Sequence, residues 1–320
     1  MDQAVNDLDI IGIREATDKT SLVGDYLRHY ENIFGAMRHE EFNFIEIGVL
    51  NGASARTWER FFSRARIIGV DIDPNCRRYT TDRVTIEIGS QNNPDFLHKI
   101  AAAYPPRVII DDGSHQSYDV IFTFERLFPT LLPGGIYVIE DLHFHLLEHE
   151  AERLRGGSPI LAHEYVVNLT RDLLGSEDYA RRIEGLRGHL IRSIDRIEII
   201  RQAAVIHKRA VSADPLATLI EILPHIEASN HWLSWLSYSQ KLLAAGAAPP
   251  VVVSALKRSV SLNGTVVINR ERLAEALERA GDIGSAIDAL EKATAIAGTN
   301  RSLTASIQER IQRLRGLPPR

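Results

Sequence analysis

Sulfur is scarce in this chain. One cysteine, Cys76, stands among 320 residues, which excludes an intramolecular disulfide and any multi-cysteine metal site. A reducing compartment suits such a chain. Long apolar runs are missing too: nothing approaches the about 18 consecutive apolar residues that a membrane helix requires. The opening MDQAVNDLDI has neither a basic stretch nor an apolar leader. A cytoplasmic protein without a membrane span is the expectation. Positive charge is not in excess, with 37 Lys and Arg against 42 Asp and Glu and a net charge of -5. That argues against a nucleic-acid partner. The fingerprint G-x-G-x-x-G is also absent, which counts against a dinucleotide cofactor.

What is present is a rhythm. Apolar, β-rich runs at 42–49, 66–71, 84–89, 107–111 and 136–141 alternate with stretches of helical spacing. Strands this uniformly apolar belong to a parallel sheet covered on both faces. A doubly wound, mostly parallel α/β fold follows. Ahead of it, residues 1–40 read as a helical segment, with Leu22, Tyr26, His29, Tyr30 and Ile33 near one face. After Asp141 the strand pattern stops, and 143–192 reads as a helical insert. IDRIEIIRQAAVIHKR (194–209) then reads as two strands in an antiparallel edge hairpin with Gln202 near the break, completing seven. SADP at 212–215 marks a domain boundary, giving domains 1–212 and 213–320.

Ligands of such a sheet sit beyond the carboxyl ends of its strands, and the polar clusters lie there. The first strand runs into EIGVLNGAS, with Glu46, Gly48, Asn51 and Ser54 around a loop holding only two glycines. A pyrophosphate needs closer backbone approach than this loop offers. S-adenosylmethionine carries no phosphate and suits it. Asp71, closing the second strand, is placed to accept from ribose hydroxyls, and Ser90 and Gln91, closing the third, to edge the adenine. The fourth and fifth strands end in Asp111-Asp112 and Glu140-Asp141, with Glu140 28 positions after Asp112. That is the length of a helical crossover, so the two termini can be neighbours. Carboxylates converging there repel unless a hard divalent cation neutralises them. An oxygen-only, incomplete ligand set describes Mg²⁺ better than Ca²⁺ or Zn²⁺.

With TDK at 17–19, EIGVLNGAS, GVDIDP, IDDGSH and YVIEDL in place, residues 15–145 resemble the class I methyltransferases. Within these, the resemblance is to the Mg-dependent sugar O-methyltransferases of macrolide biosynthesis. It implies a Rossmann-like methyltransferase sheet, S-adenosylmethionine as methyl donor, and a cation on Asp112, Glu140 and Asp141. It also implies His115 as general base and a glycosylated small molecule or glycan as acceptor. Asp112 would hold the cation that lowers the pKa of the sugar hydroxyl. His115, three residues on, would take the proton. Lys19 would reach the cofactor carboxylate or face solvent, and Asp111 would touch the cofactor or cap the next helix. HFHLLEHEAERL departs from the family's continuation after Leu142. His143, His145 and His149 there carry no accompanying acid motif and read as lining for the acceptor pocket rather than as a zinc site.

The remainder reads helical. Ala255-Leu256-Lys257 and Ala289-Leu290-Glu291 stand 34 residues apart, a period that points to tetratricopeptide-like repeats. Leu273, Leu277, Gly281, Ala286, Leu290 and Ala293 fit that consensus spacing, and Trp232 and Trp235 read as repeat core. Such repeats bind a protein partner or self-associate, so a homo-oligomer is expected. The competing function is an interaction scaffold whose front domain is methyltransferase-like but not catalytic.

Overall fold

The computed structural model describes residues 6–210 and 215–316. The chain divides into two compact units, Met1–Val211 and Ser212–Arg320. Residues 212–214 of the expected boundary lie outside the described residues. No helix among the described residues is long and apolar enough to cross a membrane.

The first unit opens with α1 (Asp7–Glu15) and α2 (Leu27–Phe34). Asn6 caps α1 by accepting from the Asp9 N–H. The helical spacing read from Leu22 to Ile33 becomes a helix only at Leu27: residues 17–26 form turns, and Leu22 is 75% exposed instead of lying on the buried face. There follow β1 (Asn43–Ile47), α3 (Ala53–Phe61), β2 (Arg66–Asp71), β3 (Val84–Ile88), α4 (Pro94–Ala103), β4 (Pro106–Asp111), α5 (Ser117–Leu127) and β5 (Ile136–Ile139). Pro94 sits in the first turn of α4, whose cap Asn93 accepts from two backbone amides. The expected insert is α6 (Glu148–Arg155), α7 (Ala162–Leu173), α8 (Glu177–Arg182) and α9 (Gly185–Ser193). A hairpin of β6 (Ile194–Ile200) and β7 (Ala203–Lys208) ends the unit, with Gln202 at positive φ in its turn.

The seven strands form one sheet in the order β3-β2-β1-β4-β5-β7-β6. β1 to β5 are parallel, while β7 runs antiparallel to both β5 and β6. This is the seven-stranded Rossmann-like sheet that the apolar runs predicted, with the hairpin at one edge. Chain order reverses at β1, which pairs with β2 on one side and β4 on the other. A crevice for a ligand opens there. Alternation along the strands divides the core. Ile45, Ile47, Ile109, Tyr137 and Ile139 face one apolar layer, with Val120 and Phe124 of α5. Phe44, Ile110 and Val138 face the other, with Tyr30 and Phe34 of α2 and Trp58 of α3.

The second unit is all-helical: α10 (Pro215–Ser229), α11 (Trp232–Ala244), α12 (Pro249–Leu262), α13 (Val267–Arg279), α14 (Ile283–Ala297) and α15 (Arg301–Leu314). Each helix packs on the next. Helix starts recur at 249 and 283, and at 232, 267 and 301, close to the 34-residue offset read from the sequence. Leu273, Leu277, Ala286, Leu290 and Ala293 are buried in its core, Trp232 and Trp235 pack against that core, and Gly281 turns between α13 and α14 at φ +80°.

Candidate active site

The loop after β1 is shaped by close approach. Gly48 has φ +93°, and a Cβ there would lie 2.0 Å from the carbonyl oxygen of Asp112. Only glycine lets the ends of β1 and β4 meet this closely. Asp71 at the end of β2 fastens the same loop. Its Oδ2 accepts from the N–H groups of Val49 (2.8 Å) and Leu50 (3.0 Å), and its Oδ1 from that of Asp73 (2.8 Å). Partial burial would raise the carboxyl pKa. These backbone donors outweigh it and hold the group below the usual range.

Beyond β3, Gln91 reaches across to β4. Its Nε2 donates to Asp111 Oδ1 (3.2 Å), and its Oε1 accepts from the Ser114 N–H (2.8 Å). Asp111 is buried on the α5 side of the sheet, where Tyr137 also donates to it (3.2 Å). Burial pushes its pKa up to about 7. Asp111 therefore braces the core, neither touching the cavity nor capping α5.

Asp112 is one residue further and faces the opposite layer. Glu46 and Glu140 share that face with Phe44 and Val138, so three acids point to the α2 side. Lys19 meets them. Its Nζ donates to Asp112 Oδ2 and Glu140 Oε2, and the residue is only 2% exposed. Burial alone would lower the pKa of this ammonium. The charges of Glu140, Asp112 and Glu46 outweigh burial, so it stays protonated with a pKa well above the ordinary value. Lys19 thus reaches neither a cofactor carboxylate nor solvent. Glu46 is likewise internal, accepting from Ser54 Oγ (2.8 Å) and Trp58 Nε1 (2.9 Å), and burial pushes its pKa up to about 7.

The helix α2 and Tyr26 at its N-cap supply two further donors. Tyr30 Oη donates to Glu140 Oε1 (2.6 Å) and Tyr26 Oη to Asp141 Oδ1 (2.7 Å). Both oxygens of Glu140 are therefore occupied. The atoms that converge without such a partner are Asp112 Oδ1, Asp141 Oδ2 and His115 Nε2. The imidazole nitrogen lies 3.9 Å from the first and 3.6 Å from the second. One ligand atom from each of these three residues falls within 4.8 Å of the others. His115 and Asp141 both have left-handed backbones, φ +58° and +59°, which costs of order 1–3 kcal/mol each. His145, 2% exposed, ties the two turns together by donating from Nε2 to the His115 carbonyl oxygen at 2.8 Å.

A cavity of about 620 Å³ opens at these strand ends. Of the residues expected at the site, Gly48, Asn51, Ser54, Asp71, Ser90, Gln91, Asp112, His115 and Asp141 line it, whereas Lys19, Glu46, Asp111 and Glu140 lie behind its wall. His143, His145 and His149 are not part of its lining, and they do not converge as a metal set. Sequence reading missed Tyr26 and Tyr30 as site residues. Their i,i+4 spacing placed them on one helix face, and the apolar neighbours disguised the use of their hydroxyls. It also missed Asp119, which lines the cavity while accepting from Ser114 Oγ (2.7 Å) and Asn92 Nδ2 (3.1 Å).

The fold and the crevice define a class. Residues 45–142 match the family model described as a methyltransferase domain, and the first unit carries the corresponding Rossmann-like sheet. The particular likeness is to the macrolide sugar O-methyltransferases, as the motifs implied. The chain is 39% identical over 144 residues to demethylmacrocin O-methyltransferase of Streptomyces fradiae. It is 38% identical over 144 residues to mycinamicin VI 2''-O-methyltransferase of Micromonospora griseorubida. Each alignment takes in 42% of this chain and 36% of the relative, so the chain spans little more than a third of the relatives it matches. Among solved structures, the methyltransferase MycE in complex with Mg, S-adenosylhomocysteine (SAH) and mycinamycin VI aligns with a TM-score of 0.55 at 28% identity, covering 64% of this chain and 55% of that one.

Proposed function

We propose that this chain is an S-adenosylmethionine- and Mg²⁺-dependent O-methyltransferase acting on a sugar hydroxyl of a glycoside. The observation that carries the reading is the acidic cluster at the ends of β4 and β5, with His115 between Asp112 and Asp141 at the cavity wall. Three carboxylates, Asp112, Glu140 and Asp141, face one ammonium, Lys19. The negative charge left over is what a divalent cation would balance, and the donors are the hard oxygens that Mg²⁺ prefers. The residues fit the group. Asp112 and Asp141 would hold it through Asp112 Oδ1 and Asp141 Oδ2, the oxygens not already shared; Glu140, expected as the third ligand, has both oxygens engaged by Lys19 and Tyr30 and would join only where the cation displaces Lys19 from it. When bound, Mg²⁺ lowers the pKa of a hydroxyl.

The other parts follow from placement. The cavity side built by Gly48, Asn51, Ser54, Asp71, Ser90 and Gln91 takes the cofactor. Asp71 accepts from the ribose, and Ser90 and Gln91 border the adenine. His115 removes the proton of the acceptor hydroxyl, a task for which imidazole suits neutral pH. Alignment of the hydroxyl with the methyl group and exclusion of water are the main contributions of the protein. The acceptor class rests on the relatives, some of which are named for rhamnosyl or olivosyl compounds as substrates. The second unit is read as tetratricopeptide-like, on the recurrence of its helix starts, and as a partner or self-assembly surface.

The test is transfer of labelled methyl from S-adenosylmethionine to a panel of glycosides, with and without chelator. Label in a sugar methyl ether that vanishes with chelator supports the reading. Wild-type turnover by Asp112→Asn, or full activity in chelator, would remove the metal from it. No cofactor binding by calorimetry would favour a scaffold.

A further inference from the structure

We infer that Lys19 is a built-in counter-cation of the acidic cluster, one that holds Asp112 and Glu140 in place without metal and competes with Mg²⁺ for them. This rests on the reading of those carboxylates as the metal side of the site. Three features carry it.

Among the described residues, the partners of the ammonium are acids. It donates to Asp112 and Glu140, which are 93 and 121 residues away in the chain, and the residue is almost wholly buried. Its backbone is pinned as well. The Lys19 carbonyl accepts from the N–H groups of Tyr26 (2.9 Å) and Leu27 (3.0 Å), which fixes the Lys19 main chain at the turn that starts α2. Finally, the same short segment supplies the hydroxyls of Tyr26 and Tyr30 to Asp141 and Glu140. A cluster of like charges is thereby preassembled, with its mutual repulsion partly cancelled. A divalent cation finds the ligands in position but is repelled by a resident positive charge.

The consequence is a linkage that a purely structural lysine would not produce. The test is Mg²⁺ calorimetry and Mg²⁺-dependent thermal unfolding on the full chain, comparing wild type with Lys19→Met. The variant should melt lower than wild type in chelator, gain more from Mg²⁺ than wild type does, and bind Mg²⁺ about tenfold or more tightly. Unchanged or weaker Mg²⁺ binding by Lys19→Met, with wild type binding normally, overturns the inference and leaves the functional reading standing. Binding by neither protein overturns both. Should Lys19→Met not fold even in Mg²⁺, the same comparison is made between Glu140→Gln and Glu140→Gln/Lys19→Met, where the charge removed with Lys19 is already offset. A tighter double variant supports the competition, and equal or weaker binding ends it.

Discussion

On the β1–β2 side of the cavity, Asp71 is held by backbone N–H groups of its own loop and the next. On the β4–β5 side, Asp112, Glu140 and Asp141 are held by side chains, a lysine and two tyrosines from residues 19–30. Backbone donors come with the fold and survive any substitution but proline. Side-chain donors must be delivered by a separate segment, and each is a single point of failure. The first arrangement suits a constant ligand such as a cofactor. The second leaves a cluster whose charge and spacing one residue can adjust.

The largest expected effect breaks the chemistry and spares the rest. His115→Ala should slow methyl transfer by about 10² to 10⁴ while calorimetry still shows cofactor binding. Equal loss of both would mean that His115 holds the loop and does not act on the acceptor.

Next comes a pH effect on the wall between the two sides. Glu46 has its pKa raised by burial to about 7, so the folded state keeps a proton that the unfolded chain has already lost. This acid therefore opposes folding increasingly as pH rises from the ordinary glutamate range to about 7, and fully above it. Denaturation of Glu46→Gln across that window should lack this slope, with a gain over wild type of up to about 3 kcal/mol at the alkaline end. A gain that is the same at pH 5 and pH 8 would refute the assignment.

Asp71→Asn sharpens the comparison from the cofactor side. It places an NH₂ group against backbone donors and removes a charged acceptor, a loss of about 1.5–3 kcal/mol. Cofactor affinity should drop roughly 10- to 100-fold, with the Mg²⁺ dependence of the rate unchanged. Tyr30→Phe is the smallest. It strands one oxygen of Glu140 in the core at about 1–3 kcal/mol, measurable as a lower denaturation midpoint. In the double variant Asp71→Asn/Tyr30→Phe the two losses should add, and a departure from the sum by more than about 0.5 kcal/mol would show that the two sides are one network.

Much of this was legible in the residues. The parallel strands, their polar ends and the edge hairpin followed from apolar runs, which are local. The carboxylates were found because adjacent acids at a strand end demand an explanation. The direction each faces was also written in the alternation, since Glu46 is two positions from Phe44, Asp112 two from Ile110 and Glu140 two from Val138. Lys19 escaped because nothing beside it in the chain marks a lysine as buried. Leu22 misled because its spacing fitted a helix, whereas the chain uses that stretch to turn Lys19 inward. The insert after Asp141 held the least information. Its histidines are near one another in sequence, yet His145 is buried on the His115 carbonyl while His149 is exposed.

By itself the sequence determined a doubly wound sheet, a two-glycine loop after the first strand, acids at two strand ends, and a helical tail with a period near 34. Those depend on neighbours along the chain, on period and on residue type. Only the tertiary structure decided which acids line the cavity and which stand behind it. That choice depends on partners more than ninety residues away, and a buried carboxylate takes its role from the donor that reaches it.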